Sequence, residues 1–400
     1  MNGIEAAATD TRLGSPMFPT DRNSIGRRML ARIVAGAAAT TLAGRRGHAA
    51  PAGGSDAPSD SERAAMAATA EALMRRHDLP GLAVAIAHRG RILYDEAFGM
   101  AVRETGERLT TAHRFRIASL SKPITSATLF TLNEAGKVGL GDRVFGRGAV
   151  LGTEYGVPPY REYVDRVTIE TLLTHTSGGW PNDNTDPMMR NPGMTHRQLI
   201  AWAIRDIPLK HRPGTHYAYS NFGYCILGRV IEHLTGQQYD AFVRSEVLQR
   251  CGVATMEIAG NTPAERRPNE VRYYAQGTDD AYGLNVTRMD SHGGWIATAA
   301  DLLRFTAHVD GFPDQPSLLK PETIQTMATG SRAEPGYAKG WQVNDLGNWW
   351  HSGSLPGTAT ILVRTHADFC WAILTNASRD GLDLDKFGWD MVGKVGRWQA

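Results

Sequence analysis

The chain has 400 residues, 42% of them hydrophobic, with 43 lysines and arginines against 41 aspartates and glutamates and a net charge of +2. That length allows a large core in one or two domains. With the charge balanced and no long Lys/Arg run, nothing asks for nucleic acid or an anionic membrane as partner, which demand a concentrated basic surface.

The first sixty residues differ from the rest. Arg27-Arg28-Met29-Leu30-Ala31-Arg32 precedes a weakly apolar run from Ile33 to Ala43, then His48-Ala49-Ala50. A charged region, a short apolar region and small residues at the end describe an export signal, and the paired arginines resemble a twin-arginine signal. We expect residues 1–50 to be this leader, with Met17 as an alternative start, residues 51–60 a flexible linker and 61–400 the exported, periplasmic or secreted, domain. The apolar run falls short of the roughly 20 residues that span a bilayer.

Ser61 to Arg76 has helical spacing, with Met66, Ala70 and Leu73 on one face. Strands are expected over 82–87 and 91–98, joined by a turn at His88-Arg89-Gly90. A helix is expected from Ser119 to Ala135 with Gly136 ending it; Pro123 fits its first turn, where no backbone N–H is needed. Further helices are expected from the capping box at Thr195–Gln198, over 221–234 and 238–248, and from Thr298 to Val309. Four strands follow, at 341–344, 349–354, 358–364 and 369–375, and a helix over 385–398 closes the chain. The pattern predicts an α/β (α+β) fold: an antiparallel sheet from about 61–115 and 335–400 covered by helices, a mostly helical lobe over 119–330, and a site in the cleft between them. Cys225, Cys251 and Cys370 have neither a disulfide framework nor zinc spacing. Buried free thiols are expected, with one Cys225–Cys251 bridge left open.

Three short motifs carry chemistry. In Ser119-Leu120-Ser121-Lys122 the serine and lysine share a helix face. Burial would lower the lysine pKa enough for it to act as base. The pattern recurs at Ser317–Lys320, so it cannot choose by itself; Ser119 is favoured because it opens an apolar helix. Tyr219-Ser220-Asn221 sets a phenol and an amide two residues apart, the phenol a proton acceptor or relay if its phenolate is favoured. His351-Ser352-Gly353-Ser354 lies on an edge-like strand, where Gly353 would let a ligand approach the backbone.

Together, at spacings of 100 and 132 residues, these motifs resemble the serine β-lactamase and penicillin-binding protein superfamily. The branch is that of class C β-lactamases, D-alanyl-D-alanine carboxypeptidases, D-aminopeptidases and family VIII esterases. Phe115-Arg116-Ile117-Ala118, Leu172 to Gly178 and Gly294 to Thr298 add to the likeness, which covers roughly 62–398 and implies a β-lactamase/transpeptidase-like fold. It implies an acyl-enzyme on Ser119, proton transfers shared by Lys122 and Tyr219, and a substrate amide at Asn221. The oxyanion would be held by the N–H groups of Ser119 and Ser354. His175, within the Leu172–Gly178 stretch, reads as structural. His351 stands where class C β-lactamases have lysine, which weakens a β-lactamase reading because a fixed cation is no longer assured. Neither metal nor cofactor is implied. D-alanyl peptides or related amides are the expected substrates, a carboxylesterase or β-lactamase the alternative, and a non-turnover penicillin-binding sensor a further one.

Overall fold

The computed structural model describes residues 56–399, residue 314 excepted. The expected leader lies outside the described residues. The first helix runs from Asp60 to His77 and opens with a capping box between Ser59 and Glu62. Strands β1 (Gly81–His88), β2 (Arg91–Val102) and β3 (Glu107–Arg108) follow. The β1–β2 turn has positive φ at Arg89 and Gly90, the geometry that matches strand twist in a tight hairpin.

A second small sheet was not anticipated. It comprises β4 (Phe115–Arg116), β5 (Glu257–Ile258) and β6 (Trp295–Ala297) in the order β4-β6-β5. Its strands of two and three residues are too short to show an alternating pattern. The last strands are β7 (Gln342–Val343), β8 (Trp349–Leu355), β9 (Thr358–Arg364) and β10 (Phe369–Thr375). The main sheet has the order β3-β2-β1-β10-β9-β8-β7, antiparallel throughout, so the early and late strands meet at β1 and β10.

Side-chain size explains how the sheet is sandwiched. On β1, Leu82, Val84 and Ile86 face the terminal helices, where they pack with Met66, Trp371, Phe387 and Met391. Ala83, Ala85 and Ala87 point the other way, into the larger core. Their small size lets the helix Ala299–Asp310 lie close against β1 and β10. Each large side chain so buried contributes roughly 1.5–3 kcal/mol. Because both faces are covered, β1 reads as a continuous apolar run rather than an alternating one.

Several boundaries differ from expectation. The helix expected from Ser119 is regular only over Ser121–Glu134, preceded by a tight turn at Ala118–Leu120. The helix expected over 238–248 is regular at Tyr239–Val243 and widens into a π turn at Arg244–Leu248. The closing helix ends at Val392, because Gly393 and Gly396 are poor helix formers. All three cysteines are buried free thiols, so no Cys225–Cys251 bridge forms. No helix among the described residues is long and apolar enough to cross a membrane.

Candidate active site

The sheet holds the segment before Ser119 from two sides. Thr358 Oγ1 donates to the Arg116 carbonyl at 3.1 Å, and Thr360 Oγ1 to that of Ile117 at 3.0 Å. From the other side, the Ile117 N–H donates to the Trp295 carbonyl at 3.0 Å. The buried Arg116 guanidinium donates to the carbonyls of Ala281 and Gly260 and stacks over Tyr273. So fixed, Ala118 adopts a φ of +49°, a conformation costly for a residue with a side chain. Ser119 follows on the tight turn, and Pro123 sits within the first turn of the regular helix, as its missing N–H permits.

Gly353 plays a different part from the one expected. A Cβ there would lie 2.4 Å from the Ile117 carbonyl oxygen and 2.4 Å from Thr360 Oγ1. Its missing side chain makes room for the segment that leads into Ser119. Gly353→Ala should therefore destabilise the fold by about 1–3 kcal/mol through overpacking, read as a lowered thermal midpoint. Strand β8 is edge-like only in part, since β7 covers Trp349 and Trp350 and no further residue of it.

Lys122 is wholly buried, and its Nζ has three neighbours. They are Ser119 Oγ at 3.0 Å, Asn221 Oδ1 at 2.8 Å and the His292 carbonyl at 3.0 Å. Burial pushes its pKa well below the usual lysine range, against an opposing pull from Asp186. A neutral amine fits these neighbours. With one proton lost it would keep donors for the two carbonyl oxygens and a lone pair for the Ser119 hydroxyl.

Tyr219 and Asn221 both reach the same place. Lys122 Nζ lies 4.7 Å from the Tyr219 ring centroid, and the Tyr219 hydroxyl bonds with Ser119. Burial drives the phenol pKa upward, so the phenolate expected from the sequence is disfavoured. Asn221 is the first residue of the helix Asn221–Thr235, and Ser220 caps it by accepting from the Gly223 N–H. Both Asn221 amide hydrogens are engaged within the protein, one by Asn182 Oδ1 at 2.8 Å and one by Asp186 Oδ2 at 3.2 Å. The donor expected for a substrate amide is thus taken, and the amide orientation is settled with Oδ1 toward Lys122.

Asp186 was missed in the sequence. It is buried, and its carboxyl is raised to about 6, chiefly by desolvation. It also caps the short helix Pro187–Arg190 through the Met188 N–H. The one readable signal was Asp-Pro, a helix start.

His351 is buried too. Its Nδ1 donates to the Ser352 carbonyl at 2.7 Å and its Nε2 lies 3.2 Å from the Tyr337 hydroxyl. Burial, with Lys122 adding to it, lowers its pKa to about 3, so the ring is neutral. Ser354 is half-buried, in register with Ala359 of β9. The rival Ser317 is exposed, its Oγ donating to the Leu319 carbonyl, and Lys320 is exposed as well.

A family model described as Beta-lactamase matches residues 66–387. A penicillin-binding protein 4 from Amycolatopsis lactamdurans is 29% identical over 325 residues, covering 76% of this chain and 83% of its own length. Two solved structures share the fold. A D-amino acid amidase from Ochrobactrum anthropi superposes with a TM-score of 0.68 at 20% identity, covering 85% of this chain and all of the amidase. The D-alanine carboxypeptidase AmpC from Burkholderia cenocepacia gives 0.65 at 20% identity, covering 84% and 99%.

Proposed function

Because the chain belongs to the β-lactamase family, whose serine hydrolase character it shares, we propose that it is an exported acyl-enzyme hydrolase. It acts through Ser119 on D-amino-acid, notably D-alanyl, peptides or related amides. The observation that carries this reading is the placement of the buried Lys122 amine against Ser119 Oγ.

Ser119 Oγ attacks the substrate carbonyl carbon while its proton passes to the Lys122 lone pair. The N–H groups of Ser119 and Ser354 take the developing oxyanion. The new ammonium is stabilised by ionised Asp186 and by Asn221 Oδ1. When the carbon–nitrogen bond breaks, a proton passes to the departing amine through the Tyr219 hydroxyl, which stays protonated and so suits a donor. Water then attacks the Ser119 ester by the same steps, releasing the acid and restoring the serine. An ester substrate needs less help at the leaving group, and the neutral His351 favours a carboxylesterase over a β-lactamase as the second reading.

Mass spectrometry tests the intermediate. Incubation with a p-nitrophenyl ester or a D-alanyl amide, quenched early, should leave an acyl adduct on the peptide carrying Ser119. Turnover with the adduct elsewhere would sink the proposal. A stable penicillin adduct with no turnover of anything would turn it into a sensor.

Asp186→Asn supplies a sharper check. Removing the carboxylate lets the Lys122 pKa fall further, so the neutral amine survives to lower pH and the acid limb of kcat/KM moves down. The same loss leaves the ammonium of the reaction less stabilised, so kcat should drop roughly tenfold to a hundredfold. A limb that stays put would remove Asp186 from the mechanism.

A further inference from the structure

A chain of hydrogen bonds crosses beneath the site from Ser220 to Ser352, and both of its ends are backbone groups of fixed polarity. The Ser220 N–H donates to His175 Nδ1 at 3.0 Å. His175 Nδ1 is therefore the acceptor, and its proton sits on Nε2, 3.0 Å from the Tyr337 hydroxyl oxygen. At the other end the Ser352 carbonyl can only accept, so His351 carries its proton on Nδ1. His351 Nε2 is then a lone pair, and the Tyr337 hydroxyl donates to it at 3.2 Å. The two ends settle both tautomers without freedom between them. His175, Tyr337 and His351 are 1%, 2% and 3% exposed.

The geometry points to Tyr337 and His175 as positioning residues that hold His351 neutral, with no N–H left for a ligand, so that the enzyme selects substrates whose leaving group carries no carboxylate. This rests on the acyl-enzyme reading and narrows its substrates to amides, peptides and esters whose leaving group has no free carboxylate, which sets a terminal D-alanyl-D-alanine aside. An anionic leaving group lying along β8 would meet a ring whose one N–H is already bonded to Ser352. The charged groups around this wall are engaged as well. Lys122 faces His351 and has its three partners. Lys339, close to Tyr337 in the chain, is turned to the Thr329 carbonyl at 3.1 Å and to Glu170 at 3.6 Å. The terminal nitrogens of Arg288 donate to the carbonyls of Met188, Asn191 and Met194, and those of Arg116 to Ala281 and Gly260. A carboxylate brought here loses its water and gains no cation.

The test uses two thioesters with the same acyl group. One thiol leaving group carries a carboxylate, and the other carries that carboxylate as its methyl ester. The full chain should prefer the methyl ester by tenfold or more in kcat/KM, mainly through KM, and the ratio should stay flat from pH 8 to pH 5. His351→Lys should move the ratio toward the carboxylate by fivefold or more. Equal use or preference for the carboxylate by the wild-type protein overturns the proposal. So does a ratio that moves toward the carboxylate as pH falls with a histidine-like transition, or one unmoved in a folded His351→Lys. If His351→Lys fails to fold, the two wild-type measurements decide. Ser119→Ala separates the layers: activity surviving in it, or no turnover of either thioester by folded wild-type protein, removes the hydrolase reading and this proposal with it. A wrong ratio with Ser119-dependent turnover removes this proposal alone.

Discussion

Ser119→Ala should lower kcat/KM by about 10⁴-fold or more, with the fold intact by circular dichroism. The alanine keeps the backbone of the tight turn and removes only the oxygen that Lys122 and Tyr219 converge on. Two controls give the result its meaning. Ser121→Ala removes a buried hydroxyl that has no hydrogen-bond partner, and Ser317→Ala touches the exposed copy of the motif; both should retain activity. Equal loss in Ser317→Ala, or retention in Ser119→Ala, would mean that the nucleophile lies elsewhere.

Lys122→Met and Lys122→Arg form the second pair. Methionine fills a similar volume and has no lone pair to take a proton at neutral pH, so kcat should fall about 10²–10⁴-fold, the range of a lost general base. Arginine keeps the positive charge but cannot release its proton, and it should fail equally. If arginine restores most of the rate, Lys122 acts as a fixed charge rather than a base. Tyr219→Phe should cost less than either, because a protonated phenol that hands on a proton can be replaced in part by water.

The outline of the fold was legible in the sequence where local patterning was strong. β9 and β10 match their expected limits because bulky side chains alternate or run between clear turns. The capping residues Thr195 and Thr298 marked helix starts to the residue. Legibility failed where tertiary contacts decide. Gly353 looked like an opening for a ligand, yet the space belongs to Ile117 and Thr360, far away in sequence. Asn221 looked available, yet its donors meet Asn182 and Asp186, from a loop with no periodic pattern. Tyr337 drew no attention because a lone tyrosine between glycine and alanine carries no signal; its role exists only once His175 and His351 stand on either side. The repeated Ser-x-x-Lys shows the same limit. Ser317 and Lys320 have the right residues and spacing, but both lie exposed at the surface.

The seam between β1 and β10 has a bearing on when the protein becomes active. β1 is among the first strands to leave the ribosome, and its partner β10 is the last. Until β10 arrives, an apolar strand edge stands open, a hazard for aggregation and a natural place for a chaperone to bind. The threonines that hold the segment before Ser119, Thr358 and Thr360, come from β9 in the same late segment. A nascent or truncated chain therefore carries Ser119 and Lys122 without the clamp that aligns them. The alignment of these two residues therefore waits on the last strands, and the order of synthesis itself sets when it is reached.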